Sequence, residues 1–321
     1  MLKVGVIGLG WAGTTHLRYL KTREDVRIVA LCDSNPERRR TCEDEFEGKT
    51  YESFEPMLAD GELDAVWVCT PSAIRRDPLV ACADLRIPVF CEKPAELRLD
   101  YAYEIECELA SRGARVQMGY VFRCMPLVRE ASKAIADDRI HLIQSLYCCP
   151  VSLTKELAPW FYDKSQSGGP LIDQATHNLD LLRYLFGEAR DVKGLTSNPV
   201  NDKGDGYTID EVVTVTMRFE TGMLCSHVHT WVGDSWRNQM VFIGEKRVYR
   251  LDLTRGRLIV KEPKGKWDFS QDQDHMYDHQ NARFLEQVKT GDWSSNPSTY
   301  TDALKTLDLT MACDRACSNG S

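Results

Sequence analysis

No uninterrupted apolar run in this chain approaches the roughly 18 residues that a bilayer-crossing helix needs, so no membrane span is expected. Nor is there an excess of basic residues. Lys and Arg total 40 against 48 Asp and Glu, a formal net charge of -8. Without a positive field to hold phosphates, nucleic acid and anionic membrane surfaces are poor partners. Repeats, low-complexity tracts and long flexible linkers are also missing. Cysteine is plentiful, at 12 residues, yet no Cys-x-x-Cys pair with metal spacing occurs. Cys32, Cys69 and Cys91 lie in apolar runs and Cys148 adjoins Cys149. Buried free thiols in a reducing, cytoplasmic setting are therefore expected.

What remains is ordinary soluble composition, 43% hydrophobic and 27% charged over 321 residues, long enough for two cores. The N-terminal stretch "MLKVGVIGLGWAG" alternates like a strand and then breaks into glycines, which marks the start of a fold rather than a signal segment. Strand-like runs "RIVALCD", "LDAVWVCT", "IPVFCEK" and "ARVQMGY" follow, separated by helical spacing. That alternation predicts a parallel α/β sheet with crossover helices over residues 1–121. Residues 122–321 read as an α+β domain. A helix runs to about Asp137, and "HLIQSLYCCP" is a strand. Later runs such as "EVVTVTMRFE" and "GMLCSHVHTW" suit a large, mostly antiparallel open sheet, with closing helices near 276–290 and 299–317. Such a sheet is apolar enough to support a homodimer or homotetramer.

Gly8-x-Gly10-x-x-Gly13 sits at the first strand-to-helix junction, with Trp11 and Ala12 inside it. Glycines there permit a tight turn and close approach of a pyrophosphate to the helix N-terminus. Asp33 ends the second strand twenty residues after Gly13, where an acid binds the adenosine ribose. A carboxylate repels a 2'-phosphate, so NAD is expected over NADP, although Arg38 to Arg40 lie close by. The plainer alternative is that Asp33 or Ser34 caps the helix begun by Pro36. Ligands of parallel sheets bind beyond the carboxyl ends of the strands. Two loops leave those ends: Thr70-Pro71-Ser72 and Glu92-Lys93-Pro94. A lysine beside a nicotinamide is a catalytic candidate.

The stretch "LIDQATHNLDLLRYLFGE", residues 171–188, has helical spacing, with Leu179, Leu182 and Phe186 on one face. Asp173, His177 and Asp180 recur at intervals of four and three along another face. Asp173 as a cap and His177 as a satisfied core histidine are the bland alternatives. Together, "GLGWAGTTH", "CTPS", "CEKP" and "GGPLIDQATHNLDLLRYLFG" make nearly the whole chain resemble the Gfo/Idh/MocA oxidoreductases. That resemblance implies reversible oxidation of a secondary alcohol on a sugar, cyclitol or polyol. It implies that Lys93 contacts the substrate hydroxyl and the nicotinamide ribose, and that Asp173 and His177 complete the site. One departure is Arg75, where family members often carry histidine.

Hydride loss from a carbinol leaves a hydroxyl proton to be taken up. An imidazole with an ordinary pKa of about 6.5 can accept it at neutral pH, and a carboxylate one turn away can orient it. His177 is favoured as acid/base and Lys93 as electrostatic partner, with the reverse assignment open. Tyr120, Arg123, Trp160 and His279 are further substrate-binding candidates. His227-x-His229 and the pair His275 and His279 have spacings that admit zinc, but no third ligand completes a motif, so no metal is expected. Two other functions compete with the dehydrogenase. One is a glycoside-cleaving enzyme that oxidises its sugar transiently and reduces it again. The other is a non-catalytic dinucleotide-responsive regulator.

Overall fold

The computed structural model describes residues 1–60, 62–154, 158–202, 204, 206–270 and 276–318. The chain divides into two compact units, Met1–Cys124 with Met276–Leu304, and Met125–His275 with Lys305–Ser321.

The first unit alternates strand and helix: β1 Leu2–Ile7, α1 Trp11–Lys21, β2 Val26–Cys32, α2 Pro36–Phe46, β3 Lys49–Tyr51, α3 Phe54–Asp60 and β4 Ala65–Val68. Helix α4 Arg76–Asp84, β5 Val89–Cys91, α5 Leu99–Ser111 and β6 Val116–Met118 complete the series. The six strands pair in parallel in the order β3-β2-β1-β4-β5-β6. Strands covered on both faces read as continuous apolar runs; all four residues of β4, Ala65-Val66-Trp67-Val68, are fully buried. Short β3 was not read from the sequence, because three residues at a sheet edge carry little pattern.

Helix α10, Met276–Thr290, joins this unit rather than the second domain to which the sequence reading had assigned it. Phe284 and Leu285 enter the core beside Val4, Leu17 and Phe90. The Phe284 ring meets Trp67 edge-on at 4.9 Å, and Asn281 Oδ1 accepts from Trp67 Nε1 at 2.9 Å. Burying one such aromatic stabilises by about 1.5–3 kcal/mol.

The second unit contains α6 Pro126–Ile135, β7 Ile140–Cys148, the short helices α7 Val151–Thr154 and α8 Lys164–Ser167, and α9 Thr176–Phe186. Then come β8 Ala189–Ser197, β9 Val212–Phe219, β10 Leu224–Thr230, β11 Arg237–Gly244, β12 Val248–Asp252, β13 Arg257–Glu262 and β14 Gly265–Ser270. Helix α11, Tyr300–Ser318, starts in the first unit and ends in the second. The eight strands run β14-β13-β12-β11-β7-β10-β9-β8, antiparallel except for the β7–β10 pair.

One face of this sheet is buried under α9. Phe186 packs on Phe242 at 5.1 Å, and Asn178 Nδ2 donates to Ser145 and Asn238. The edge strands β8 and β14 escaped the sequence reading, since neither has a fully buried residue. Among the described residues no helix is long and apolar enough to cross a membrane. The 12 cysteines are free and nine of them are buried, Cys107 being exposed.

Candidate active site

The glycine turn opens room at one point by packing tightly at two others. Gly8 has φ +92°, and a Cβ there would lie 2.7–2.8 Å from the Cys69 carbonyl and Thr70 nitrogen. A Cβ on Gly13 would fall 2.0 Å from Gly8 O. At Gly10 the nearest atom to an added Cβ is Arg38 Nη1, 4.0 Å away, so the space above the turn is open. Helix α1 begins there with no capping side chain and no acid in its first turn, and carries Arg18 and Lys21 in its last. Its free amide donors and positive dipole end suit a pyrophosphate. Ala12 is partly buried, while Trp11 is 69% exposed, its ring edge-on to Tyr277 at 5.7 Å.

Asp33 is not the cap of α2. Asn35 is, accepting from Glu37 N and Arg38 N. The Asp33 carboxylate instead accepts from Leu9 N and Asn35 N, both at 2.8 Å, which holds it against the glycine turn. Arg38 Nη1 lies 3.7 Å from it on a largely exposed side chain. Replacing Asp33 with Ala is expected to weaken NAD binding by about 10-fold or more, the worth of a charged hydrogen bond, and to raise NADP acceptance while Arg38 is kept. Titrating both nucleotides into Asp33→Ala and Asp33→Ala/Arg38→Ala checks this; an unchanged preference would leave Asp33 as a backbone tie only.

At the carboxyl end of β4, Thr70 Oγ1 is buried with no hydrogen-bond partner among the described residues. An orphaned hydroxyl beside an open glycine turn is what a missing polar ligand would leave. Pro71 is exposed and leads into a short turn, Ser72–Ile74. At the end of β5, Glu92 is buried and Lys93 partly buried. Glu92, expected at the cofactor, turns inward: Oε1 meets His16 Nε2 at 2.9 Å and Oε2 accepts from Lys93 N at 3.1 Å. Burial pushes its carboxyl up, but the hydrogen bond and charge of His16, with Lys93 and Arg75 beyond, leave it below the ordinary range. His16 Nδ1 is tied to Asn281 at 2.9 Å. Asn281 escaped the sequence reading; its only signal was an amide amid the apolar spacing of α10.

Tyr120 is buried, with the Arg123 guanidinium 5.7 Å from its ring centre. Arg123, expected at the substrate, donates to Pro297 O at 2.9 Å and pairs with Asp302 at 2.5 Å, tying its turn to the 297–302 segment. His279 is partly buried on α10; His275 lies outside the described residues.

In the second unit, Leu171–Ala175 forms one π-type turn before α9 begins at Thr176. Such turns are rare and recur at functional sites. Asp173 and His177 are partly exposed, one on the turn and one on the helix. Asp180, grouped with them from spacing, is instead fully buried, accepting from Thr306 Oγ1 at 2.8 Å in a network with Arg183. Gln174 Oε1 accepts from Trp231 Nε1 at 2.6 Å and pins the π turn to the end of β10. Phe161 stacks on Trp231 at 4.7 Å, whereas neighbouring Trp160 is 43% exposed. His227 and His229 are wholly buried; His227 Nδ1 meets Ser145 Oγ at 2.9 Å. Among the described residues no group of three or more metal-ligating side chains is assembled.

Residues 2–120 match the family described as "Oxidoreductase family, NAD-binding Rossmann fold", and residues 128–250 match the "GFO/IDH/MocA C-terminal domain". The myo-inositol 2-dehydrogenase of Thermotoga maritima is 28% identical over 70% of this chain and 66% of its own length. The 2,7-anhydro-N-acetylneuraminate hydratase of Escherichia coli is 25% identical over 81% of this chain and 70% of its own. The solved structure of myo-inositol 2-dehydrogenase from Lactobacillus plantarum shares the fold, with TM-score 0.86 over 100% of this chain and 98% of that one, at 21% identity. With both family descriptions matched and a glycine turn built for a dinucleotide, this chain belongs to the Gfo/Idh/MocA oxidoreductases and is an NAD-binding enzyme.

Proposed function

We propose that this enzyme reversibly oxidises a secondary hydroxyl of a sugar, cyclitol or related polyol. The reading is carried by the Glu92–Lys93–Pro94 loop. It sets an amine at the carboxyl end of β5, in the same sheet whose β1 ends in the open glycine turn. Relatives named as inositol dehydrogenases support the substrate class.

The glycine turn, the first-turn amides of α1, Asp33 and Thr70 would hold the dinucleotide. When bound, its nicotinamide supplies the hydride acceptor. The protein's own part is proton and charge handling. His177 takes the hydroxyl proton, and Asp173, four residues earlier, orients the imidazole and stabilises its charged form. The Lys93 ammonium donates to the substrate oxygen and stabilises the developing alkoxide.

NAD is the preferred nucleotide on the strength of Asp33. Twelve free thiols suit a cytoplasmic, reducing setting. A homodimer or homotetramer would form through the exposed face of the eight-stranded sheet, where Leu224 and Ile243 are 41% and 37% exposed and Leu146, Val228 and Val241 are partly so. Light scattering at several concentrations tests that, and a monomer at all of them would refute it.

The activity itself is tested by incubating the enzyme with NAD and a panel of sugars, cyclitols and glycosides. Net NADH with a free sugar or cyclitol is the expected outcome. The similarity to a hydratase favours one second reading, in which the substrate is oxidised transiently and reduced again. Product formation without net NADH would select it.

A further inference from the structure

Arg75 lies at the start of α4, and its side chain is buried although it carries a full charge. Four of its hydrogen bonds run to main-chain carbonyls, and the Cys91 thiol lies beside it as well. Nε donates to Thr70 O at 2.8 Å, Nη1 to the carbonyls of Glu92 and Pro94, and Nη2 to Lys93 O at 3.2 Å. Two loops that leave different strands are thereby held by one planar group. The first is the Thr70 loop at the end of β4, with its orphaned hydroxyl. The second is the loop carrying Lys93 at the end of β5.

The guanidinium suits this task because its donors lie in one rigid fork, which a lysine ammonium cannot reproduce. Among the described residues no carboxylate stands within ion-pair distance of Arg75. The buried charge is satisfied by loop backbone, and removing it would leave three consecutive carbonyls, 92 to 94, without their donor. From below, the same loop is held by the Glu92 carboxylate through Lys93 N, with His16 and Asn281 behind it. The lysine is therefore braced on both sides of its own peptide.

We propose that Arg75 is a positioning residue. By clamping carbonyls 92–94 to the Thr70 loop, it fixes where the Lys93 amine stands relative to the loop that meets the cofactor. This inference rests on the proposed catalytic role of Lys93. Arg75 itself touches no reacting atom, so its loss should lower turnover while leaving substrate affinity in place.

The experiment compares Arg75→Ala, Arg75→Lys and Lys93→Met on the full chain, using the substrate found in the panel, with NAD affinity and melting temperature measured alongside. Arg75→Ala is expected to lower kcat by about 10²-fold with KM within about threefold of wild type. Added guanidinium at sub-denaturing concentration should restore kcat by about tenfold in Arg75→Ala and not in Lys93→Met. Should Arg75→Ala not fold, Arg75→Lys decides: it keeps the charge but cannot bridge both loops, so kcat falls by about tenfold. Hydrogen exchange gives a readout without substrate. Amides of 70–75 and 92–97 should exchange about tenfold faster in Arg75→Lys, with β1 and β2 unchanged. Wild-type kcat in either folded Arg75 variant, or unchanged exchange in those two loops, overturns the inference. Active Lys93→Met instead brings down the assignment of Lys93, on which the inference rests, while the activity found in the panel stands.

Discussion

His177→Ala is expected to lower kcat by about 10²–10⁴, the usual worth of a positioned acid/base, with NAD affinity close to wild type. The affinity should hold because the groups proposed to grip the nucleotide lie in the first unit, on the glycine turn and at the ends of β2 and β4. Lys93→Met should cost a similar or larger factor, since an alkoxide developing without a nearby cation loses its main electrostatic support. Steady-state kinetics in parallel with nucleotide titration separate the two roles. If His177→Ala loses its steep acid-side dependence of kcat while Lys93→Met retains it, His177 is the proton acceptor. The opposite pattern exchanges the assignments. Near-normal turnover in either folded variant removes that residue from the chemistry.

The second large effect concerns stability in acid. His227 and His229 are buried on β10, and neither has a carboxylate partner among the described residues. Burial pushes the His227 imidazole down to about 4, and burial with the neighbouring His227 pushes His229 well below its ordinary value. Below about pH 6.5 the unfolded chain binds protons at these positions that the folded chain does not. Stability is therefore fully present above about pH 6.5 and falls as the pH drops toward 4. For His227 alone the gap from 6.5 to about 4 corresponds to on the order of 3 kcal/mol at the acid end. That is a large share of the 5–15 kcal/mol by which domains of this kind are stable. Urea midpoints between pH 7 and 4.5 for wild type and His227→Leu/His229→Leu check it. The variant should show a clearly shallower decline, and an equal decline would show that other groups cause it.

These two histidines mark a limit of local pattern. Their alternate spacing on β10 correctly put both imidazoles on one face, and the same spacing admitted zinc. Only the packing of α9, which links Asn178 to Ser145 and Ser145 to His227, revealed a polar cluster sealed beneath a helix. Asp180 teaches the same lesson. Its interval from His177 suggested a shared face, but His177 is partly exposed while Asp180, three residues on in the same helix, is buried against Thr306. Spacing tells which residues are neighbours along a helix, and not which of them a distant segment covers.

Local chemistry was legible from the residues alone: the glycine turn at a strand end, the strand–helix alternation, the acid closing β2 and the amine after β5. Each depends on backbone sterics or spacing within about twenty residues, so a linear reading reaches it. Tertiary structure alone decided which core α10 enters, that Asn35 and not Asp33 caps α2, that Glu92 faces inward to His16, and that Arg75 grips two loops. An apolar stripe or a buried charge records that a partner exists. Which partner it is depends on contacts between residues far apart in the chain, and these become definite only once the chain has packed.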